Sequence, residues 1–86
     1  MTERWRYVGS QAAFELLDRC KPRERRRLLE TLTRLTADPY RRPQGFGADE
    51  AGRSLSLISL NGFEIVYWLD HFVKEVRLVE IRRVRS

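Results

Sequence analysis

Arginine is the residue type in this sequence with the greatest capacity for chemistry. Of the 17 cationic residues 15 are arginine, and the 12 Asp and Glu residues leave a formal net charge of +5. The cations concentrate in two stretches, residues 19–27 and residues 77–85. A guanidinium group binds phosphate through a planar fork of donors and stacks on bases and aromatic rings. The charge therefore suits a polyanion, either nucleic acid or an acidic protein, although a solvated arginine-rich surface would have the same composition.

Three further side chains could act as an acid, a base or a stacking group. Glu64 is predicted on an exposed strand face, where a carboxylate could serve as a general base or simply pair with Arg77. Trp68 shares that predicted face and could stack on a base or pack against a partner protein. His71 is the one side chain with an ordinary pKa near neutrality, but it falls in a predicted turn. We interpret it as a solvated turn residue.

The composition excludes several classes of protein. One Cys and one His exclude a metal site built from these two residue types, and we expect no metal and no cofactor. The single Cys20 excludes an internal disulfide, which favours a reducing, cytoplasmic location, and we interpret it as a small buried apolar residue. No apolar run approaches the ~18 residues that cross a bilayer, and residues 1–5 do not resemble a signal peptide. We expect no membrane contact.

The first half of the chain predicts one strand and two helices. Residues 4–8 alternate large apolar and charged side chains, as a short strand does. Ser10 is suited to cap a helix over residues 11–20, where apolar residues recur at spacings of three and four. Pro22 is suited to the first turn of a second helix that runs to about residue 36. The short junction between them predicts a helical hairpin.

The second half predicts a loop and three strands. Residues 40–52 contain three Gly and one Pro without an apolar period, which indicates a long surface loop. The apolar residues then lie at odd positions up to Leu57 and at even positions from Ile58, which suggests a bulge or a change of face. Asn61-Gly62 is the strongest short hairpin signal, a type I′ turn, and precedes a strand over residues 63–70. A last strand is expected over about residues 73–84.

These elements predict a single α+β domain over residues 1–86. Their order is strand, helix, helix, strand, strand, strand. Because both helices come before the hairpins, we expect the helical hairpin to cover one face of a small, mostly antiparallel sheet. The other face would then be free to bind a partner.

Three motifs in this order resemble the RelE/ParE superfamily of bacterial type II toxins. The stretch from Leu28 to Pro39 looks like the second helix of that superfamily, and the stretch from Asn61 to Tyr67 looks like its central strand. The stretch from Val76 to Arg83 looks like its last strand, which ends in a basic cluster. The resemblance spans roughly residues 4–84 and implies the fold expected above.

The chain departs from this pattern at the positions whose side chains cut RNA in RelE-type members. The central strand of those members carries an Arg where this chain has Glu64, and the preceding strand carries lysines where this chain has Ser54 and Ser56. Two basic positions and a tyrosine in their last strand correspond here to Arg82, Arg83 and Val84. A slip of one residue would give the Arg role to Arg83 or Arg85.

The resemblance implies a toxin of a toxin–antitoxin pair, held inactive by a cognate acidic antitoxin. The activity expected first is cleavage of ribosome-bound mRNA, and the alternatives are ParE-type binding to DNA gyrase or a degenerate binding module without catalysis. For cleavage of mRNA, the candidate catalytic residues are Glu64, Arg77 and Arg83. The candidate residues for binding nucleic acid or a partner are Arg53, Trp68, Arg82 and Arg85.

Overall fold

The computed structural model describes residues 4–60 and 62–84. Within them none of the helices combines the length and the apolar composition needed to span a membrane. Two helices and five strands follow one another along the chain. Their bounds are β1 Arg6–Gly9, α1 Gln11–Arg19, α2 Pro22–Ala37, β2 Gly45–Ala48, β3 Ser54–Leu60, β4 Phe63–Asp70 and β5 Glu75–Arg83.

Both helices begin where the sequence places their caps. The Ser10 hydroxyl oxygen accepts a hydrogen bond from the backbone N–H of Ala13 at 3.2 Å, which satisfies one of the free donors at the start of α1. At the start of α2, Pro22 occupies the first turn, and Glu24 accepts a hydrogen bond from the backbone N–H of Lys21. Arg25 reaches back to the carbonyl groups at the end of α1 and joins the two helices.

The five strands form one sheet in the order β1-β5-β4-β3-β2. The pairs β2–β3, β3–β4 and β4–β5 are antiparallel, whereas β1 pairs with β5 in parallel. The α+β arrangement is therefore confirmed, with a parallel edge that the sequence did not reveal. Gly62 has a φ of +81° in the two-residue connection between β3 and β4, as the predicted hairpin requires, while Asn61 lies outside the described residues.

One local prediction for the second half of the chain is wrong, and of the two alternatives at Leu57 and Ile58 the change of face is the correct one. The expected loop over residues 40–52 contains the edge strand β2, which pairs with β3 through its backbone although Phe46 is mostly exposed. β3 pairs with β4 in one continuous register, so the change of parity reflects burial on both faces of the sheet. The irregularity lies in β5. Leu78 and Glu80 each pair with a residue of β4, whereas Val79 between them has no partner there. The carbonyl of Val79 accepts a hydrogen bond from the Ser10 hydroxyl instead.

The core lies between the helices and one face of the sheet. Leu28, Leu32 and Leu35 of α2 are at most 1% exposed and pack with Ile65 and Tyr67 of β4 in the same apolar cluster. Cys20 is also buried there, as expected. Burial raises the pKa of the Tyr67 hydroxyl and of the Cys20 thiol, because the charged form of each would lose its solvation.

Candidate functional site

The face of the sheet that points away from the helices, here called the sheet face, carries most of the side chains that the sequence singled out. Side chains alternate between the two faces along each strand, so the register of the strands decides which of them meet. The sheet face is formed by Arg6 and Val8 of β1, Glu75, Arg77, Glu80 and Arg82 of β5, Glu64, Val66, Trp68 and Asp70 of β4, and Leu55 and Leu57 of β3.

Glu64 and Arg82 form an ion pair on this face. They stand opposite each other in β4 and β5, and Glu64 Oε1 lies 3.1 Å from Arg82 Nε. Both side chains are partly exposed, at 31% and 47%. The carboxylate can accept a proton from a bound hydroxyl group, and the guanidinium can stabilise negative charge beside it. However, each group already compensates the charge of the other.

Arg77 is held by two carboxylates. Its Nη2 lies 3.0 Å from Glu75, and its Nε lies 3.3 Å from Asp70. That Nε is buried and makes no hydrogen bond within the described part of the chain, so Asp70 acts on it through charge. Glu75 is 6% exposed and also binds Arg6 at 2.9 Å. Arg77 is therefore fixed and charge-compensated, and it does not pair with Glu64 as the sequence had suggested.

Trp68 lies between two guanidinium groups. The Arg53 guanidinium carbon is 4.2 Å from the centroid of the indole ring, and that of Arg77 is 5.6 Å away. Both distances are in the range of cation–π attraction. Trp68, Arg53 and Arg77 line a shallow cavity of about 370 Å³ together with residues 8–10. Arg53 in turn lies 3.9 Å from Asp49.

The middle of the sheet face is apolar. Leu55 and Val66 are 8% and 6% exposed although they point away from the helices, and Leu57 beside them is half-buried. The sheet therefore buries side chains on both faces. The apolar strip lies between the edge strand β2 and the charged pairs of β4 and β5.

The charges on the sheet face cancel. Its strands carry three arginines, at positions 6, 77 and 82, and Arg53 stacks on Trp68 beside them. Four carboxylates stand on the same strands, at positions 64, 70, 75 and 80. Four cations against four anions give no net attraction for phosphate, so the excess charge of the chain lies elsewhere.

Arg83 lies on the opposite side of the sheet from the other candidate residues. We expected it on the free face, but it stands opposite Phe63 and points towards α2. Its two terminal nitrogens donate to the Glu24 carboxylate at 3.2 and 3.3 Å, and its guanidinium carbon lies 5.0 Å from the Phe63 ring centroid. The bulge at Val79 brings Arg83 to this face, because one extra residue reverses the alternation. The predicted role of Arg85 lies outside the described residues.

The contact with Arg83 changes the acidity of Glu24. The hydrogen bonds from Arg83, helped by the backbone N–H of Lys21, lower the pKa of the Glu24 carboxyl group and raise the pKa of Arg83. The pair joins the end of β5 to the start of α2. Arg83 thus contributes to the attachment of the helical hairpin.

His71 lies in the turn between β4 and β5, as expected, but it has aromatic neighbours. Its Nδ1 is 3.2 Å from the hydroxyl oxygen of Tyr40, and the two rings are stacked with centroids 5.6 Å apart. Trp5 meets both rings edge-on. This cluster ties the loop after α2 to the turn before β5 and is remote from Glu64.

Several residues of the site could not be identified as such from their sequence positions. Asp70 and Glu75 fix Arg77, and Arg6 reaches Glu75 only because β1 lies beside β5. Asp70 could have been placed on the sheet face from the sequence, because it shares the alternation of Glu64 and Trp68 along one strand. Among the described residues, no group of three or more His, Cys, Asp or Glu side chains is placed to hold a metal ion.

The chain has a RelE-like fold. Its structure superimposes on the archaeal RelE–RelB complex from Pyrococcus horikoshii with a TM-score of 0.76 at 15% identity, covering 94% of this chain and 96% of that chain. The RelBE2 toxin–antitoxin complex from Mycobacterium tuberculosis gives 0.74 at 15% identity, with 95% and 100% covered. The isolated RelE toxin of E. coli gives 0.74 at 14% identity, with 98% and 87% covered. No protein-family profile and no curated protein sequence matches the chain.

Proposed function

We propose that this protein is the toxin of a toxin–antitoxin pair and that it acts by binding a protein target through its sheet face. The similarity to toxins from toxin–antitoxin complexes, over nearly the full length of each chain, supports the first part. The cancelled charge of the sheet face supports the second part and is the observation on which the proposal rests.

A face that cleaves RNA needs cations that are free to meet the phosphate. Arg77 and Arg82 are instead matched by carboxylates at 3.0–3.3 Å. RNA would have to displace those carboxylates or bear their repulsion, which costs on the order of 1 kcal/mol or more for each close pair of like charges in a partly dry groove. The arrangement therefore disfavours catalysis on a polyanion.

A protein partner fits the same face better. Trp68, flanked by two arginines, stands beside the apolar strip of Leu55 and Val66. Aromatic and arginine side chains are enriched in the binding centres of protein interfaces, where apolar contacts surround them. DNA gyrase is the class of target that ParE-type toxins suggest.

The proposal includes a cognate antitoxin. The structures of the RelE–RelB complexes show toxins of this fold crystallised with their partners, and a net charge of +5 favours association with an acidic chain. Co-expression with the product of the neighbouring reading frame tests the pairing. The expected result is a stable complex and restored growth, whereas separate elution of the two proteins would contradict it.

Cleavage of ribosome-bound mRNA is the second candidate function, and one observation favours it. Glu64 and Arg82 are 3.1 Å apart and partly exposed, so they could serve as a base and a phosphate clamp on one substrate. Under this alternative the mRNA would separate the pair on binding.

Inducing the gene alone separates the two candidates. A gyrase-type toxin lets translation continue at first while DNA breaks accumulate, whereas a nuclease stops translation and leaves cut mRNA. Trp68→Ala should abolish growth arrest if the sheet face binds the target, and Phe72→Ala, at a fully exposed aromatic residue (99%), is the matched control. Equal arrest by both variants would contradict a role for the sheet face.

A further inference from the structure

The strand β2 forms an open edge of the sheet. It pairs with β3 on one side, and no strand lies on its other side in the described part of the chain. Residues 46–48 are exposed, and the Phe46 side chain is 73% exposed. Proteins usually protect such an edge with a charged residue, a proline or a bulge, because free backbone groups attract further strands. The strand Gly45–Ala48 contains none of these.

The hydrogen bonds of β2 show which backbone groups its edge leaves free. Directly after the strand, Asp49 donates its N–H to the carbonyl of Arg53 at 3.0 Å. Backbone groups alternate sides along an antiparallel strand, so the residues at odd positions of β2 also face β3. Phe46 and Ala48, at the even positions, therefore direct their N–H and C=O groups away from the sheet. A further strand that joins this edge must bond to these two residues.

The segments that flank β2 carry opposite charges. Arg41 and Arg42 precede the strand, whereas Asp49 and Glu50 follow it. The Asp49 carboxylate accepts hydrogen bonds from two backbone N–H groups of the turn that it begins, which holds it there. Arg42 and Glu50 are exposed, and neither takes part in an ion pair within the described residues. One cation and one anion are therefore available, each four residues from Phe46.

We propose that two copies of this chain pair through β2 in antiparallel orientation, with the two Phe46 residues opposite each other. In this register the outward backbone groups of Phe46 bond across the two-fold axis, and the two rings lie side by side. Arg42 of each copy then stands opposite Glu50 of the other, because both lie four residues from the axis. The two five-stranded sheets become one continuous sheet, and the two sheet faces lie on its same side.

A second copy fits this edge better than an acidic partner strand. An antiparallel strand that matches both ends of β2 must begin with a cation and end with an anion, and β2 itself has this pattern. An acidic strand would attract Arg42 but would be repelled by Glu50 at the other end. A second copy in parallel orientation would place like charges together. The proposal goes beyond the proposed function, because it concerns another surface and does not require the chain to be toxic.

Sedimentation equilibrium of the purified chain over a range of concentrations tests the pairing. The wild type should form dimers with a Kd of roughly 1 mM or lower. Arg42→Glu and Glu50→Arg should each weaken dimerisation by about tenfold or more, because each places two pairs of like charges across the axis. An equimolar mixture of the two variants should dimerise as the wild type does, since every charge at the contact then meets its opposite.

Arg23→Glu is the matched control for the charge reversals. It changes the charge of an exposed arginine by the same amount, near the start of α2 and therefore at the opposite end of that helix from the segment that leads to β2. It should dimerise as the wild type does. Ala48→Pro removes an outward backbone donor without removing a bond to β3, and it should abolish dimerisation. Circular dichroism verifies that each variant is folded.

Four results would overturn the proposal. One is a wild-type chain that stays monomeric at every concentration, and another is dimerisation that survives both charge reversals. A mixture that fails to restore the dimer would exclude this register, and an equal loss with Arg23→Glu would show that only the net charge matters. If the wild type is monomeric and Ala48→Pro loses binding of a co-expressed partner protein, the edge binds a strand of that partner and not a second copy.

Discussion

At the scale of single residues, the position of Glu64 decides what the sheet face can do. Its carboxylate takes the place of a guanidinium in the RNA-cutting relatives suggested by sequence resemblance, and it binds Arg82 at 3.1 Å. The pair therefore carries no net charge, in contrast to the two basic groups that the sequence resemblance implies at these positions.

Substitution of Glu64 separates the two interpretations of its role. If the carboxylate repels phosphate, Glu64→Arg should raise the affinity of the sheet face for RNA or create cleavage. If it is a general base, Glu64→Gln should reduce cleavage by ~10²–10⁴. A cleavage and binding assay on both variants with the same RNA distinguishes these interpretations.

We expect Glu64→Arg to raise the affinity for RNA or create cleavage, and Glu64→Gln to cause no loss of cleavage. A loss of cleavage with Gln would favour the nuclease. No change with either variant would show that Glu64 is a surface residue and that the site lies elsewhere.

At the scale of helices and strands, α2 is the element that joins the core to the surface. It buries Leu28, Leu32 and Leu35 against the sheet, binds Arg83 through Glu24 and presents arginines to solvent. Its apolar spacing was sufficient to predict the helix and its buried side. Arg83 was predicted on the wrong face because a one-residue bulge at Val79 in β5 reverses the alternation. The adjacent apolar residues Leu78 and Val79 are the sequence signal for this bulge.

The core contribution of α2 can be measured at Leu32, whose side chain is fully buried. Leu32→Ala should reduce the free energy of unfolding by ~2–5 kcal/mol, because the neighbouring side chains only partly fill the cavity. Thr33→Ala, at the next and exposed position, is the control and should change it little. Urea unfolding followed by circular dichroism gives both values. A loss below ~1 kcal/mol at Leu32 would contradict the layered core.

The pair of Glu24 and Arg83 should make the attachment of α2 sensitive to acid. The pKa of Glu24 is lower in the folded chain than in the unfolded one, so the pair stabilises the fold above the ordinary Glu pKa. That stabilisation is lost as the pH falls through the lowered value. The melting temperature of Glu24→Gln should therefore be lower than that of the wild type at pH 7, and the two should converge towards pH 2. A constant difference across this range would contradict the assignment.

The sheet shows how much of the fold the sequence could reveal. The hairpin of β3 and β4 was predictable because a two-residue turn signal fixes its register locally. The pairing of β1 with β5 joins residues about 70 positions apart, such as Arg6 and Glu75, and no local pattern encodes it. β2 was missed because an exposed edge strand with two glycines has no apolar period. The ion pairs of Arg77 depend on these long-range pairings.

At the scale of the whole molecule, the positive charge and the apolar sheet surface lie on different sides. Exposed arginines of α2 and of the segment after it, such as Arg34 and Arg41, lie outside the sheet face. The sheet face itself is neutral and carries Trp68 between two paired arginines. The composition gave the total of +5 but not this distribution. A RelE-like fold thus carries here a neutral, partly apolar sheet face on a chain with excess positive charge.

The most direct test of this account is a map of mRNA 5′ ends in cells in which the gene is induced without its antitoxin. If the neutral sheet face binds a protein target, growth should stop while the mRNA ends stay those of uninduced cells. Trp68→Ala should restore growth in the same experiment. New ends at codon-related positions that disappear with Glu64→Gln would contradict the account and would identify the sheet face as a nuclease site.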